Sequence, residues 1–204
     1  SIWLFSNGFK VIYKKMASDR MYYTLALSRG YNGIGGLEPG EGAFMSDYLR
    51  TCCVAGLKGT VFMDILKREG IGMDVNVSMS NTMISGEAPE ERMNLLLRSL
   101  LAVANERTRN DEAFGYYKES ENLRLEHAGE DFVRRMAVID SLMCPDYRYS
   151  HYKTAGNISV GFQDKADKFF EDVFSKTGDG ALVLVGNMDE EKLKKILLEY
   201  VGGF

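Results

Sequence analysis

Histidine is scarce in this chain, with two residues in 204, and so are cysteine and proline, with three each, and tryptophan, with one. Each shortage excludes something. The three cysteines are Cys52, Cys53 and Cys144, an odd number with no Cys-x-x-Cys spacing, which argues against a disulfide framework and a zinc knuckle. They read as small buried apolar residues. Two histidines, His127 and His151, are few for a catalytic zinc, which takes three protein ligands and draws on imidazole for them. No apolar run approaches the roughly 18 residues of a membrane-spanning helix. Positive charge is not in excess: 25 Lys and Arg face 29 Asp and Glu, a net charge of −4, the wrong sign for a nucleic-acid surface. No low-complexity linker divides the chain, so residues 1–204 are expected to form one domain. The start Ser1-Ile2-Trp3 has neither an initiator methionine nor a signal-peptide pattern. The expectation is therefore a piece excised from a longer multidomain polypeptide, with a periplasmic or otherwise exported location left open.

What is present is hydrophobic periodicity of two kinds. Residues 8–15 and 21–29 alternate as strands do, with Asn7-Gly8 as a turn before the first. The glycine-rich stretch GYNGIGGLEPGEG follows, and then two helical stretches at about 43–54 and 58–69, the second ended by Gly70 and Gly72. Residues 73–79 alternate again, Asn81 marks a turn, and TMISGEA returns as the second arm of a hairpin. Pro89 opens a helix with Glu90 and Glu91 in its first turn, where the helix dipole favours acids. A long charged helical region spans about 111–143, with a break expected near Gly129 and Pro145 as its stop. Residues 163–175 form a short helix. The continuous apolar run ALVLVGN at 181–187 predicts a central strand, and Asp189 starts a final amphipathic helix. Hairpin strands with helices between them predict an α+β fold, a mostly antiparallel sheet with helices packed on one face.

Few residues announce chemistry. A strand, a glycine loop and a helix are the setting of a nucleotide site, but Gly33-x-Gly35-Gly36 meets Glu38 where a third glycine belongs. Glu38 and Glu41 would also repel phosphate. His127 stands on the charged helix and His151 in a loop, each read as a solvated polar residue. PDYRYSHYK, 145–153, mixes tyrosines with Arg148 and Lys153; it reads as a loop with half-packed tyrosines rather than a base-stacking surface.

The order of elements is more informative. NGFKVIYKK, YYTLALSRG, the glycine loop, LKREGIGMDVNVSMSNTMISGEAPEERMNLLLRSLLAV and the closing ALVLVGNMDEEKLKKILLEYVGG together resemble one whole domain of the insulinase/pitrilysin family of zinc metallopeptidases, which includes mitochondrial processing peptidase. The resemblance runs from Asn7 to Gly203. In that family an inverted zinc motif, H-x-x-E-H, follows the glycine loop. Two histidines one helical turn apart share the metal, and the glutamate polarises the attacking water. The matching stretch here is AFMSD. Ala43 stands at the first histidine position, Ser46 at the glutamate position and Asp47 at the second histidine position.

The resemblance therefore implies a non-catalytic domain. It would hold no zinc itself, and the metal would sit in a partner domain of the parent metalloendopeptidase. Its role would be to shape the chamber that binds an unfolded peptide and to pack against an active half, so its partners are other domains of the same polypeptide or a homologous subunit. Glu119 and Glu126 have the spacing of the family's downstream glutamates, and read either as relics of a metal site or as two acids on a solvated helix. A non-enzymatic scaffold or assembly subunit of the same fold is the alternative. No nucleic acid and no membrane span are expected.

Overall fold

Alternating side chains build a sheet whose two faces differ. The computed structural model describes residues 1–38, 40–127, 130–143 and 158–204. Cys144, Pro145, His151, the tyrosine-rich segment 145–153 and the break expected near Gly129 lie outside these residues. The eight strands among them are β1 (Ile2–Leu4), β2 (Lys10–Lys15), β3 (Met21–Leu27), β4 (Cys53–Val54), β5 (Asp74–Val77), β6 (Thr82–Ala88), β7 (Arg107–Thr108) and β8 (Ala181–Gly186). Six form one sheet in the order β1-β2-β8-β3-β6-β5, and β4 pairs with β7 apart from it.

Among the described residues, only the β2–β8 pair is parallel. The pairs β1–β2, β8–β3, β3–β6 and β6–β5 are antiparallel. The apolar run of β8 lies between β2 and β3; Leu182 and Leu184 are buried on one face and Ala181, Val183 and Val185 half-buried on the other.

The seven α-helices among the described residues are α1 (Met45–Thr51), α2 (Gly59–Arg68), α3 (Met93–Asn105), α4 (Asp111–His127), α5 (Glu130–Met143), α6 (Phe162–Ser175) and α7 (Glu190–Tyr200). Helices α1, α2, α3, α6 and α7 each bury apolar side chains in the core on one face of the sheet. On that face Val11, Tyr13, Tyr23, Leu25, Ile84, Leu182 and Leu184 are all buried. The intervening residues Ile12, Thr24, Ala26, Met83 and Val183 are only half-buried, and Tyr22 is exposed. α3 buries Met93, Leu96, Leu97, Leu100 and Val103, one stripe at helical spacing. The fold is α+β, with a mostly antiparallel sheet and helices covering chiefly one face.

Several boundaries differ from those the sequence suggests. The helix expected to 54 stops at Thr51, and Cys53 belongs to β4, not to a helix. Cys52 is already extended, with ψ 154°, and Ala55 and Gly56 take left-handed φ of 51° and 74° in the turn that follows. β1 is three residues long, too short for periodicity to reveal. Pro89 leads into a 3-10 turn, Glu90–Arg92, before α3 begins. Asp189 caps α7 as its position suggests: its carboxylate accepts the Lys192 amide at 3.0 Å. Among the described residues, no helix is long and apolar enough to cross a membrane.

Candidate functional site

Gly40, with φ 78°, turns the chain out of the glycine loop into a 3-10 segment, Glu41–Phe44, that runs directly into α1. Gly42 is required by contact: a Cβ there would lie 2.4 Å from the Tyr31 ring. Phe44, Met45, Tyr48 and Leu49 are buried and fix the rotation of the segment. The remaining positions, Ala43, Ser46, Asp47 and Arg50, face the edge strand β5 and the helix α4.

The structure separates the three motif positions. Ala43 and Ser46 line an open groove of about 480 Å³ with Tyr31 and residues 76–80 of the β5–β6 hairpin. Ser46 Oγ accepts the backbone amide of Val77 at 2.8 Å. Asp47 instead lines a cleft of about 340 Å³ between α1, the start of α2 and the start of α4. Its Oδ2 accepts the Tyr117 hydroxyl at 2.8 Å and its Oδ1 accepts Arg50 Nη1 at 2.9 Å. Arg50 continues to Asp74 at 2.6 Å and to the Val75 carbonyl at 3.0 Å. The Tyr117 hydroxyl has its pKa raised by burial first and by the Asp47 hydrogen bond second, so it stays a donor.

These residues are a poor fit for zinc. Ala43 has no donor atom. Ser46 Oγ is engaged with a backbone amide, and both Asp47 oxygens carry hydrogen bonds. Glu119, Glu126 and His127 of α4 are exposed. On that helix Tyr117 donates a hydrogen bond to Asp47, Glu121 and Arg124 lie close enough to act on the Tyr117 hydroxyl electrostatically, and Arg124 also feels the Asp47 charge. Among the described residues, no three His, Cys, Asp or Glu side chains gather as a metal site.

A second feature is absent from the sequence reading. Glu41, considered there only as a repeller of phosphate, is fully buried. Its Oε1 accepts the Ser159 amide at 3.0 Å and the Ser159 hydroxyl, and its Oε2 accepts the Glu38 amide at 2.9 Å and Lys165 Nζ at 3.0 Å. Burial alone would raise its pKa; the hydrogen bonds from Ser159, Glu38 and Lys165 outweigh it, and the net shift is downward. Lys165 Nζ also lies 3.2 Å from Ser159 Oγ. A serine–lysine nucleophile needs a neutral lysine as base. Here Lys165 is held against the buried Glu41 carboxylate at 3.0 Å, and the trio reads as a structural clasp. The available signal was an acid immediately before Gly42 in an otherwise apolar helix entry, which periodicity does not weigh.

α4 docks through aromatics. Phe114 meets Tyr48 edge-on at 5.4 Å and stacks on Phe162 at 5.8 Å. The Tyr48 hydroxyl donates to Asp167 at 2.5 Å, and Arg109 holds the same carboxylate at 2.6 Å. Cys52 lies beneath this layer, its thiol pushed up to about 11 chiefly by burial, which makes it unreactive at neutral pH.

The element order, the single parallel strand pair and the helix after the glycine loop define the fold as that of an M16 peptidase domain, the insulinase/pitrilysin type that the sequence resembles. The M16 peptidase inactive domain from Pseudomonas fluorescens matches over the whole chain with a TM-score of 0.79 at 15% identity, the chain covering 50% of that structure. The periplasmic protease PqqL from Escherichia coli matches with a TM-score of 0.75 at 19% identity, over 98% of this chain and 22% of that one. A protease from Helicobacter pylori matches with a TM-score of 0.74 at 14% identity, over 98% of this chain and 49% of that one. The chain thus spans half or less of the length of these proteins. Its sequence matches no protein-family model and no curated protein.

Proposed function

We propose that this chain is a non-catalytic domain of a zinc-dependent metalloendopeptidase, one that shapes the peptide-binding chamber and packs against an active half. The observation that carries the reading is the fate of the motif positions: Ala43, Ser46 and Asp47 offer one carboxylate where the family has two imidazoles and a glutamate, and that carboxylate is held by Tyr117 and Arg50. Zinc belongs to a partner domain of the parent protein in this reading, and no step of hydrolysis passes through the residues of this one.

The half-covered face of the sheet suits the chamber role. Cross-strand neighbours Ile12, Val183, Thr24 and Ser85 form a row of small and medium side chains across it. Such a surface can accept extended chains without selecting one sequence. The other domains of the parent polypeptide, or a homologous subunit, would close over it.

The experiment is metal analysis of the purified chain with a peptidase assay. No stoichiometric zinc and no cleavage of an unfolded substrate are expected. One zinc per chain that is lost on Asp47→Ala would overturn the reading.

A further inference from the structure

Strand β5 is the end of the sheet that lies beside α1, and its outer edge is not bare. The hairpin bonds run from Gly72 N to the Glu87 carbonyl at 2.9 Å and from Ser78 N to the Asn81 carbonyl at 2.8 Å. Backbone groups alternate sides along a strand, so Asp74 and Asn76 bond inward to β6, while Val75 and Val77 point their N–H and C=O groups outward. An extended peptide that joined the sheet here would need both groups of each valine.

One group of each is already taken. The Val77 N–H goes to Ser46 Oγ at 2.8 Å, and the Val75 C=O accepts Arg50 Nη2 at 3.0 Å. Arg50 is itself fixed by Asp47 at 2.9 Å and Asp74 at 2.6 Å. Beyond the strand, the carbonyls of Ser78 and Met79 accept the amides of Tyr31 and Asn32 at 3.0 and 3.1 Å. The edge is thus engaged at the Val75 carbonyl, the Val77 amide and the Ser78 and Met79 carbonyls.

We propose that Ser46 and Arg50 are an edge clamp: side chains at and beside the degenerate motif that close β5 to strand addition, so that this domain meets an extended chain through the face of its sheet and not through this edge. An exposed edge is an aggregation template, and natural sheets cover such edges with loops, helices or charges. A serine in place of the motif's glutamate is short enough to sit against the strand backbone as an acceptor. The clamp gives the altered motif a structural task. The inference rests on the peptide-handling role only in its choice of probe; its amide-exchange arm stands without it.

The test is residue-resolved hydrogen exchange on the whole chain. The Val77 amide is expected to be protected despite its edge position. Ser46→Ala should speed its exchange roughly 5-fold, the factor one ordinary hydrogen bond supports, while Asn76, bonded to β6, is unchanged. Ser46→Thr keeps the oxygen and should keep the protection. Unprotected Val77 in the unmodified chain, or equal exchange in Ser46→Ala, overturns the proposal. A reduced and carboxymethylated protein chain then serves as the extended probe. It should leave Val75 and Val77 exchange unaltered in the unmodified chain and protect both in the Ser46→Ala/Arg50→Ala variant. Protection in the unmodified chain, or none in the double variant, shows that these side chains do not close the edge. Failure of the zinc and peptidase prediction would leave the exchange result standing.

Discussion

The Tyr117 hydroxyl donates to Asp47 Oδ2 at 2.8 Å, joining α4 to α1 at the residue that the sequence resemblance aligns with a zinc-binding histidine. Asp47 is only 21% exposed at its side chain, so this bond is partly shielded from water. Tyr117→Phe should cost about 1.5–3 kcal/mol, the range for a hydrogen bond to a charged group, read as a lowered denaturant midpoint with unchanged slope. An unshifted midpoint would show that the bond carries no net stability.

Glu41 gives the chain a pH dependence of definite sign. Its folded pKa lies below the ordinary 4.5, so its contribution is fully present above that value and is lost as pH falls through the folded one. Glu41→Gln should lower stability at pH 7 by about 2 kcal/mol, because the Ser159 and Lys165 donors lose a charged acceptor. The gap between variant and unmodified chain should narrow as pH is taken below 4.5. A gap that stays constant down to the acid limit would show that Glu41 is not ionised in the fold.

Phe114 is buried on α4, a helix whose apolar positions otherwise follow no clear face. Its ring contacts Tyr48, Phe162 and Tyr117. Phe114→Ala should cost about 3–5 kcal/mol and raise amide exchange throughout α4 before β3 or β8 responds. Uniform loss of protection across the sheet would show that α4 does not open as its own unit.

Strands β2 and β3 and helices α2, α6 and α7 were legible because each carries a period of 2 or 3.6 over enough residues to be counted, and β8 because its apolar run is unbroken. β1, β4 and β7 were not, since two or three residues cannot show a period and their pairing depends on distant segments. The resemblance assigns Ala43, Ser46 and Asp47 to the motif, and the division of these residues between two clefts was not legible. Spacing puts Ala43, Ser46 and Asp47 on one helical face, whereas the buried packing of Phe44, Met45 and Tyr48 and the 3-10 geometry at Ala43 decide what each one meets. Glu41 was illegible as a buried hub because its partners Ser159 and Lys165 are more than 100 residues away in sequence.

Restoring the motif tests both the resemblance and the local geometry. In Ala43→His/Ser46→Glu/Asp47→His, two imidazoles return one helical turn apart, although Ala43 lies in a 3-10 segment where that spacing is not ideal. The new glutamate displaces the Ser46 contact to Val77, and removing Asp47 frees Tyr117 and Arg50 from their carboxylate. Zinc binding is expected to be weak, since a stable catalytic site uses three protein ligands and the α4 side chain hydrogen-bonded at position 47 is Tyr117, not a carboxylate. Glu126 is exposed, so Glu126→Gln is expected to leave zinc affinity unchanged. Adding Tyr117→Glu to the triple variant places a carboxylate where α4 meets α1, and should tighten zinc binding at least roughly 10-fold, the lower range for losing or gaining an orienting partner. Useful peptidase activity should remain absent, because the orientation of substrate can be worth roughly 7–11 kcal/mol of barrier and would come from a partner half. Zinc titration by calorimetry separates the outcomes. Affinity that falls with Glu126→Gln would restore that residue as a ligand, and equal affinity with and without Tyr117→Glu would show that α4 does not approach the motif as the Tyr117–Asp47 bond places it.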